Sequence, residues 1–131
     1  MKDRAGSFGL LWMRLIMGFG IATHGYDKLI NGKMHEFAST VERLGFPQPM
    51  LFALAAALSE FLGGICVALG LGTRIAAGFI FITMSVAMFI AQASQPLAAK
   101  ELAGLYWAIA GALICTGPGM WSVDEWPKGG R

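Results

Sequence analysis

Four stretches of this sequence, at about 8–30, 50–71, 75–95 and 101–118, are too long and too apolar to face water. A helix crossing the hydrocarbon core needs about 20 mostly apolar residues. The 131 residues are 56% hydrophobic and only 14% charged, against about 25% charged in an ordinary soluble domain. Too few polar side chains remain to clothe a water-facing surface, so lipid is the expected covering. The fold expected is therefore all-α: one domain over 1–131, an integral membrane four-helix bundle. A net charge of +2 with no basic run argues against nucleic acid as a partner.

The punctuation agrees with this division. Pro47 and Pro49 precede the second span, where proline tolerates a helix start. Gly70 and Gly72 close that span, and Thr73 is placed to cap the third. Pro96 ends the third, and Gly117, Pro118 and Gly119 stop the fourth. Trp121 and Trp126 then suit the membrane–water boundary. Between the first two spans, Met34, Phe37, Ala38, Val41 and Leu44 recur at helical spacing, which predicts a short amphipathic interfacial helix. The charged start followed by an apolar run resembles a secretion signal. Arg14 interrupts that run and no small-x-small site follows, so the segment reads as a retained first span. With both termini on one side, Lys2, Arg4, Arg74, Lys128 and Arg131 oppose Lys28, Lys33, Arg43 and Lys100. That slight excess favours cytoplasmic termini. Cys66 and Cys115 lie in apolar stretches without a C-x-x-C, and read as packing residues.

In lipid, helices associate through close contact, so small residues mark the packed faces. The second span aligns Ala53, Ala56, Ala57, Glu60, Gly63, Gly64 and Val67. The first aligns Arg14, Gly18, Ile21, Gly25 and Lys28. The third offers Gly78, Phe81, Ser85, Met88 and Gln92; the fourth offers Glu101, Gly104, Ala108, Gly111 and Cys115. Gly18, Gly63, Gly64, Gly104 and Gly111 are the expected packing glycines.

A charge near the bilayer centre costs about 2.5–3.5 kcal/mol on insertion scales, so Arg14 and Glu60 each require a partner. An Arg14–Glu60 pair is the most economical arrangement. At ~1.5 Å rise per residue, His24, Glu60 and Arg14 lie about 9, 15 and 24 Å from the interface beside the long connection. Glu60 thus stands between His24 and Arg14. Lys28, Gln92, Gln95, Glu101, Tyr106 and Trp107 belong to the same half. Apolar walls, aromatic rings and proton-exchanging groups suit a quinone or similar ring. His24 and Glu60 are the candidate proton-exchanging residues; Arg14, Lys28, Gln92, Glu101, Tyr106 and Trp107 are candidate ligand contacts. Haem fits poorly, since His24 and His35 are the only histidines and cannot oppose each other as axial ligands without strain. No local His, Cys and carboxylate cluster suggests a metal.

The segments LWMRLIMGFGIATHGYDKL, LGFPQP, LSEFLGGICVALGLGTR and ELAGLYWAIAGALICTGPGMWSVD resemble, in order and spacing, the DoxX family of small bacterial membrane proteins. The resemblance covers nearly the whole chain. The family pattern maps onto Arg14, His24, Gly25, Lys28, Glu60, Gly63 and Gly64, with Asp27 outside it. The resemblance implies a four-helix bundle of the bacterial cytoplasmic membrane. It also implies association with quinol-oxidase or thiosulfate:quinone oxidoreductase activity, or with quinone stress.

Three functions then compete. The first is a quinone-interacting subunit of an oxidoreductase. With no flavin, iron–sulfur or nicotinamide motif in the chain, its electrons come from another protein subunit. The second is an accessory subunit whose charges are internal glue. The third is a small transporter; spans one–two and three–four differ in charge, so no inverted repeat supports it.

Overall fold

The computed structural model describes residues 4–30 and 33–125. Among them are five α-helices and no strand: α1 (Arg4–Ile30), α2 (Met34–Arg43), α3 (Pro49–Leu69), α4 (Thr73–Val86, prolonged by a π-helical turn Ala87–Ala91) and α5 (Leu97–Thr116). Three stretches are long and apolar enough to cross a membrane: α1, α3, and α4 with its π turn, with mean hydropathies of 1.4, 2.0 and 2.0. Lys2, Trp126, Lys128 and Arg131 lie outside the described residues, so the orientation count and the second boundary tryptophan have no structural counterpart here.

Large apolar side chains point outward along the spans. Ile16 and Phe19 on α1, Ile75, Phe79 and Ile82 on α4, and Leu97 and Leu105 on α5 are all more than half exposed. A water-soluble monomer does not tolerate an apolar surface this continuous; hydrocarbon does. The interior is built from Met17, Ile21, Val67, Ala76, Ala77, Ile80, Met84, Ala110 and Leu113.

The tightest joint is between α1 and α3. A Cβ on Gly18 would lie 2.6 Å from the Gly64 carbonyl oxygen, and a Cβ on Gly64 would lie 2.6 Å from that of Gly18. Gly25 presses in the same way on the backbone of Ala57 and Phe61. The two backbones therefore touch, and this contact fixes the register of one helix on the other. The expected stripes of α1 and α3 are the buried ones: Arg14, Gly18, Ile21 and Gly25 on the first, and Ala53, Ala57, Glu60, Gly63, Gly64 and Val67 on the second.

The expected stripe of α5 is corrected. Glu101, Ala108 and Cys115 are exposed. The packed face instead carries Ala103, Tyr106, Trp107, Ala110, Leu113 and Ile114. Aromatic rings, not small residues, make this joint. Trp107 stacks on Phe81 at 5.3 Å and donates its indole N–H to Ser85 Oγ at 3.0 Å. Gly111 lies 3.3 Å (from its would-be Cβ) from the Phe81 ring, whereas Gly104 has only ordinary contact with Met88. On α4, Gly78 has open space beside it.

Helix α2 packs on α3 through Ala38 and Val41 against Ala53, with Met34, Phe37 and Phe46 around them. The turn between α3 and α4 needs two glycines in the left-handed region, Gly70 (φ 74°) and Gly72 (φ 55°). Thr73, expected to cap α4, is its first residue. The cap is the Asp124 carboxylate, from the loop after α5, which accepts the Gly72 and Thr73 N–H groups at 2.7 and 2.9 Å. The same loop is stitched down by Val123 and Asp124 N–H groups donating to Leu69 and Gly70 carbonyls, and by Met120 N–H donating to Ser7 Oγ.

Replacing Gly64 by Ala forces α1 off α3. It should cost about 1–3 kcal/mol, seen as a lower thermal midpoint in mild detergent, while Gly104→Ala should leave the midpoint unchanged. A pH effect is expected at the other end. Partial burial pushes the Asp124 carboxyl upward, but the Thr73 and Gly72 N–H donors and the Arg14 charge overcome this and hold it below its ordinary value. A depressed carboxyl stabilises the fold above its unfolded value near 3.9 and loses that contribution as pH falls through the folded one. Unfolding followed from neutral to acidic pH should show this loss in the wild type and not in Asp124→Asn.

Candidate functional site

The register set by Gly18 and Gly64 decides which charges meet. Arg14, one turn before Gly18, comes level with the end of α3, about two turns beyond Glu60. Its Nε donates to the Val67 carbonyl at 3.1 Å and Nη2 to that of Ala68 at 3.3 Å. Its Nη1 donates to the Pro118 and Trp121 carbonyls at 2.7 and 3.0 Å. These are carbonyls of a helix C-terminus and a loop, which need donors and favour a cation. The expected Arg14–Glu60 pair is therefore not formed. Arg14 is 1% exposed, and its chemistry is to pin the loop after α5 onto α3.

Glu60 pairs with Lys28 instead. The Lys28 ammonium lies 2.8 and 2.9 Å from the two carboxylate oxygens. Gly25 sits against Phe61, so Lys28, one turn further along α1, reaches back to the Glu60 level with its long stem. The Phe37 ring of α2 covers the ammonium, 4.2 Å from ring centre to Nζ, a geometry in which the ring face attracts a cation. The Glu60 side chain is 4% exposed and that of Lys28 25%. An ionised carboxylate is thus held dry, with its counter-ion bridging to the surface.

The remaining sequence candidates separate into two further groups. His24 does not turn to Glu60. It is exposed on α1 and meets Tyr106 of α5 edge to face at 6.0 Å. The Tyr106 hydroxyl occupies the notch left by Gly20, 2.5 Å from where a Cβ would stand, and lies within range of the Glu60 charge. Trp107 belongs to the α4–α5 joint, with Phe89 edge-on at 6.0 Å. Gln92 follows the π turn; its N–H donates to the Ala87 carbonyl at 2.8 Å, while its buried Oε1 has no partner among the described residues. Glu101 is exposed near the start of α5.

Two participants were missed. Phe37 was legible only as one apolar position of α2, with nothing in its spacing to point at Lys28. Asp124 caps a helix more than fifty residues away in sequence, and no local pattern announces that. Among the described residues, no three His, Cys, Asp or Glu side chains gather to hold a metal. A cleft of about 790 Å³ opens at the Arg14 end, among Ser7, Thr73, Arg74, Pro118 and Asp124. It is remote from the Lys28–Glu60 pair. The candidate site is placed at the buried Lys28–Glu60 ion pair.

A family model described as DoxX matches residues 9–93, which include Arg14, His24, Lys28 and Glu60 and stop short of α5. No curated protein matches the chain, and no solved structure does. The match spans more than half of the sequence and covers α3, α4 with its π turn and all but the first turn or so of α1, the three helices of membrane-crossing length and composition; this membrane protein belongs to the DoxX family.

Proposed function

We propose that the chain is a multi-pass subunit of the bacterial cytoplasmic membrane, with cytoplasmic termini, working in a quinone-linked oxidoreductase or respiratory complex. In this reading α5 is the fourth span of a bundle. Its 20 residues reach about 30 Å, the thickness of the hydrocarbon core. Helix α2 then lies on the membrane surface, its apolar side on α3.

The observation that carries the reading is the dry Lys28–Glu60 pair beneath Phe37, with a quarter of the Lys28 side chain still open. An aromatic wall, a cation and a carboxylate are the parts that hold a ring oxygen and exchange a proton with it. Lys28 polarises the oxygen from the open side, and Glu60 holds and releases the proton. His24 and Tyr106, at the α1–α5 contact, carry protons between the pair and the surface. The Gln92 oxygen, without a partner among the described residues, accepts a hydrogen bond from a hydroxylated ring. Quinone reduction consumes two electrons and two protons; the electrons come from a partner subunit, the protons through these side chains. Trp107 braces α4 on α5, and Glu101 stays on the water side.

The closure of the ion pair favours a second reading, an accessory subunit in which Lys28 and Glu60 only join α1 to α3. A double variant separates the two. Breaking a buried pair costs about 3–5 kcal/mol, whereas replacing both members by apolar residues is often neutral. Lys28→Met alone should therefore unfold at lower temperature than Lys28→Met/Glu60→Met. In the purified complex, the folded double variant should lose quinone turnover by about a hundredfold or more, as expected when a positioned proton donor is removed. Wild-type turnover in that variant would establish the accessory role instead.

A further inference from the structure

The cleft at the Arg14 end has a chemistry unrelated to the ion pair. Its walls come from the start of α1 (Ser7, Leu10), the start of α4 (Thr73, Arg74, Ile75) and the loop after α5 (Gly117 to Gly119, Asp124, Glu125). All of these are helix ends, which places the cleft where spans leave the hydrocarbon. The N–H groups that open α4 are already taken by Asp124. The cation left on the wall is Arg74. It is exposed, and no hydrogen bond or ion pair engages its guanidinium among the described residues. Its guanidinium lies flat against Gly117, where a Cβ would be 3.2 Å from Nε; the glycine leaves the group room to face the opening.

A second groove, of about 480 Å³, runs between α3 and α4 and is walled by Leu58, Leu62, Cys66, Ala76 and Phe79. The two share Gly72 and Ile75. From Leu58 to the end of α3 at Leu69 is about 16 Å at ~1.5 Å per residue, close to the half-thickness of about 15 Å of the hydrocarbon core. A cleft with charges of both signs thus adjoins an open apolar groove about as long as one leaflet is deep.

We propose that this continuous surface is a binding site for one zwitterionic phospholipid, its phosphate on Arg74, its ammonium toward Asp124 and Glu125, and an acyl chain in the α3–α4 groove. Guanidinium is the side chain best shaped for phosphate. The carboxylates on the facing wall make a headgroup with its own cation a better fit than an anionic one. The site does not depend on the quinone reading.

The test is lipid retention by the full-length protein, taken from nanodiscs of mixed phosphatidylethanolamine and phosphatidylglycerol and weighed by native mass spectrometry. Wild type should retain one phosphatidylethanolamine in preference to phosphatidylglycerol. Arg74→Gln should lower that retention about tenfold, the worth of one charge-assisted hydrogen bond, and Arg74→Lys should restore part of it. Ser59→Trp, which fills the apolar groove and leaves the cleft intact, should also lower it. Unchanged retention in Arg74→Gln, or equal retention of phosphatidylglycerol, would overturn the proposal. So would release by excess inorganic phosphate with no effect of Ser59→Trp, which would assign the cleft to a free anion.

Discussion

The backbone contact between Gly18 and Gly64 governs where Arg14, Lys28 and Glu60 can place their charges. Two helices that touch at their glycines cannot slide without driving Cβ atoms into carbonyls, so α1 has one register on α3. In that register Gly25 meets Phe61 and Arg14 meets Ala68. The pairing of Glu60 follows as a geometric consequence. Eight residues of α3 separate it from Ala68, about 12 Å at 1.5 Å per residue, whereas Lys28 is one turn from Gly25 with a stem long enough to return.

Hydrocarbon leaves an ionised side chain two ways to exist, and this protein uses both. Lys28 and Glu60 neutralise each other. Among the described residues no carboxylate forms an ion pair with Arg14, although the Asp124 charge acts on it. Arg14 distributes its charge over four backbone carbonyls, two of them from the last residues of α3 and two from the loop after α5. The first solution gathers both charges at one buried point between α1 and α3. The second spends four of its five N–H donors on chain ends that would otherwise be unsatisfied. Arg14 and Lys28, both on α1, therefore have different work.

How far the sequence disclosed this depended on whether the relevant pattern was local. Three of the four expected spans, the breaks between them and the packed faces of α1 and α3 were legible, because small residues recurring at helical spacing in an apolar run have few other uses. The face of α5 was misread for the same reason. Gly104 and Gly111 suggested a small-residue stripe, but Tyr106 and Trp107 make the joint with larger rings, and Gly104 only clears space for Met88. The partner of Arg14 was misassigned because counting residues from an assumed interface gives depth without register. Register came from contacts that no single helix contains. The Asp124 cap and the Phe37 cover are further from sequence still, since each joins segments whose own periodicities are satisfied without the other.

An ion pair is an expensive way to hold α1 against α3. Desolvating both charges costs several kcal/mol before their attraction returns any of it, and well-packed apolar residues in the same place are commonly as stable or more so. The adjoining turns show that this interface does not need the pair for cohesion: Gly18, Gly25 and Gly64 bring the backbones together without any charge. What apolar residues would not supply is a carboxylate 3% exposed beside an ammonium that still reaches the surface. The polar atoms that packing does not need are the ones a proton-exchanging site would require, and this is the physical ground for proposing chemistry at Lys28 and Glu60 and structure alone at Arg14.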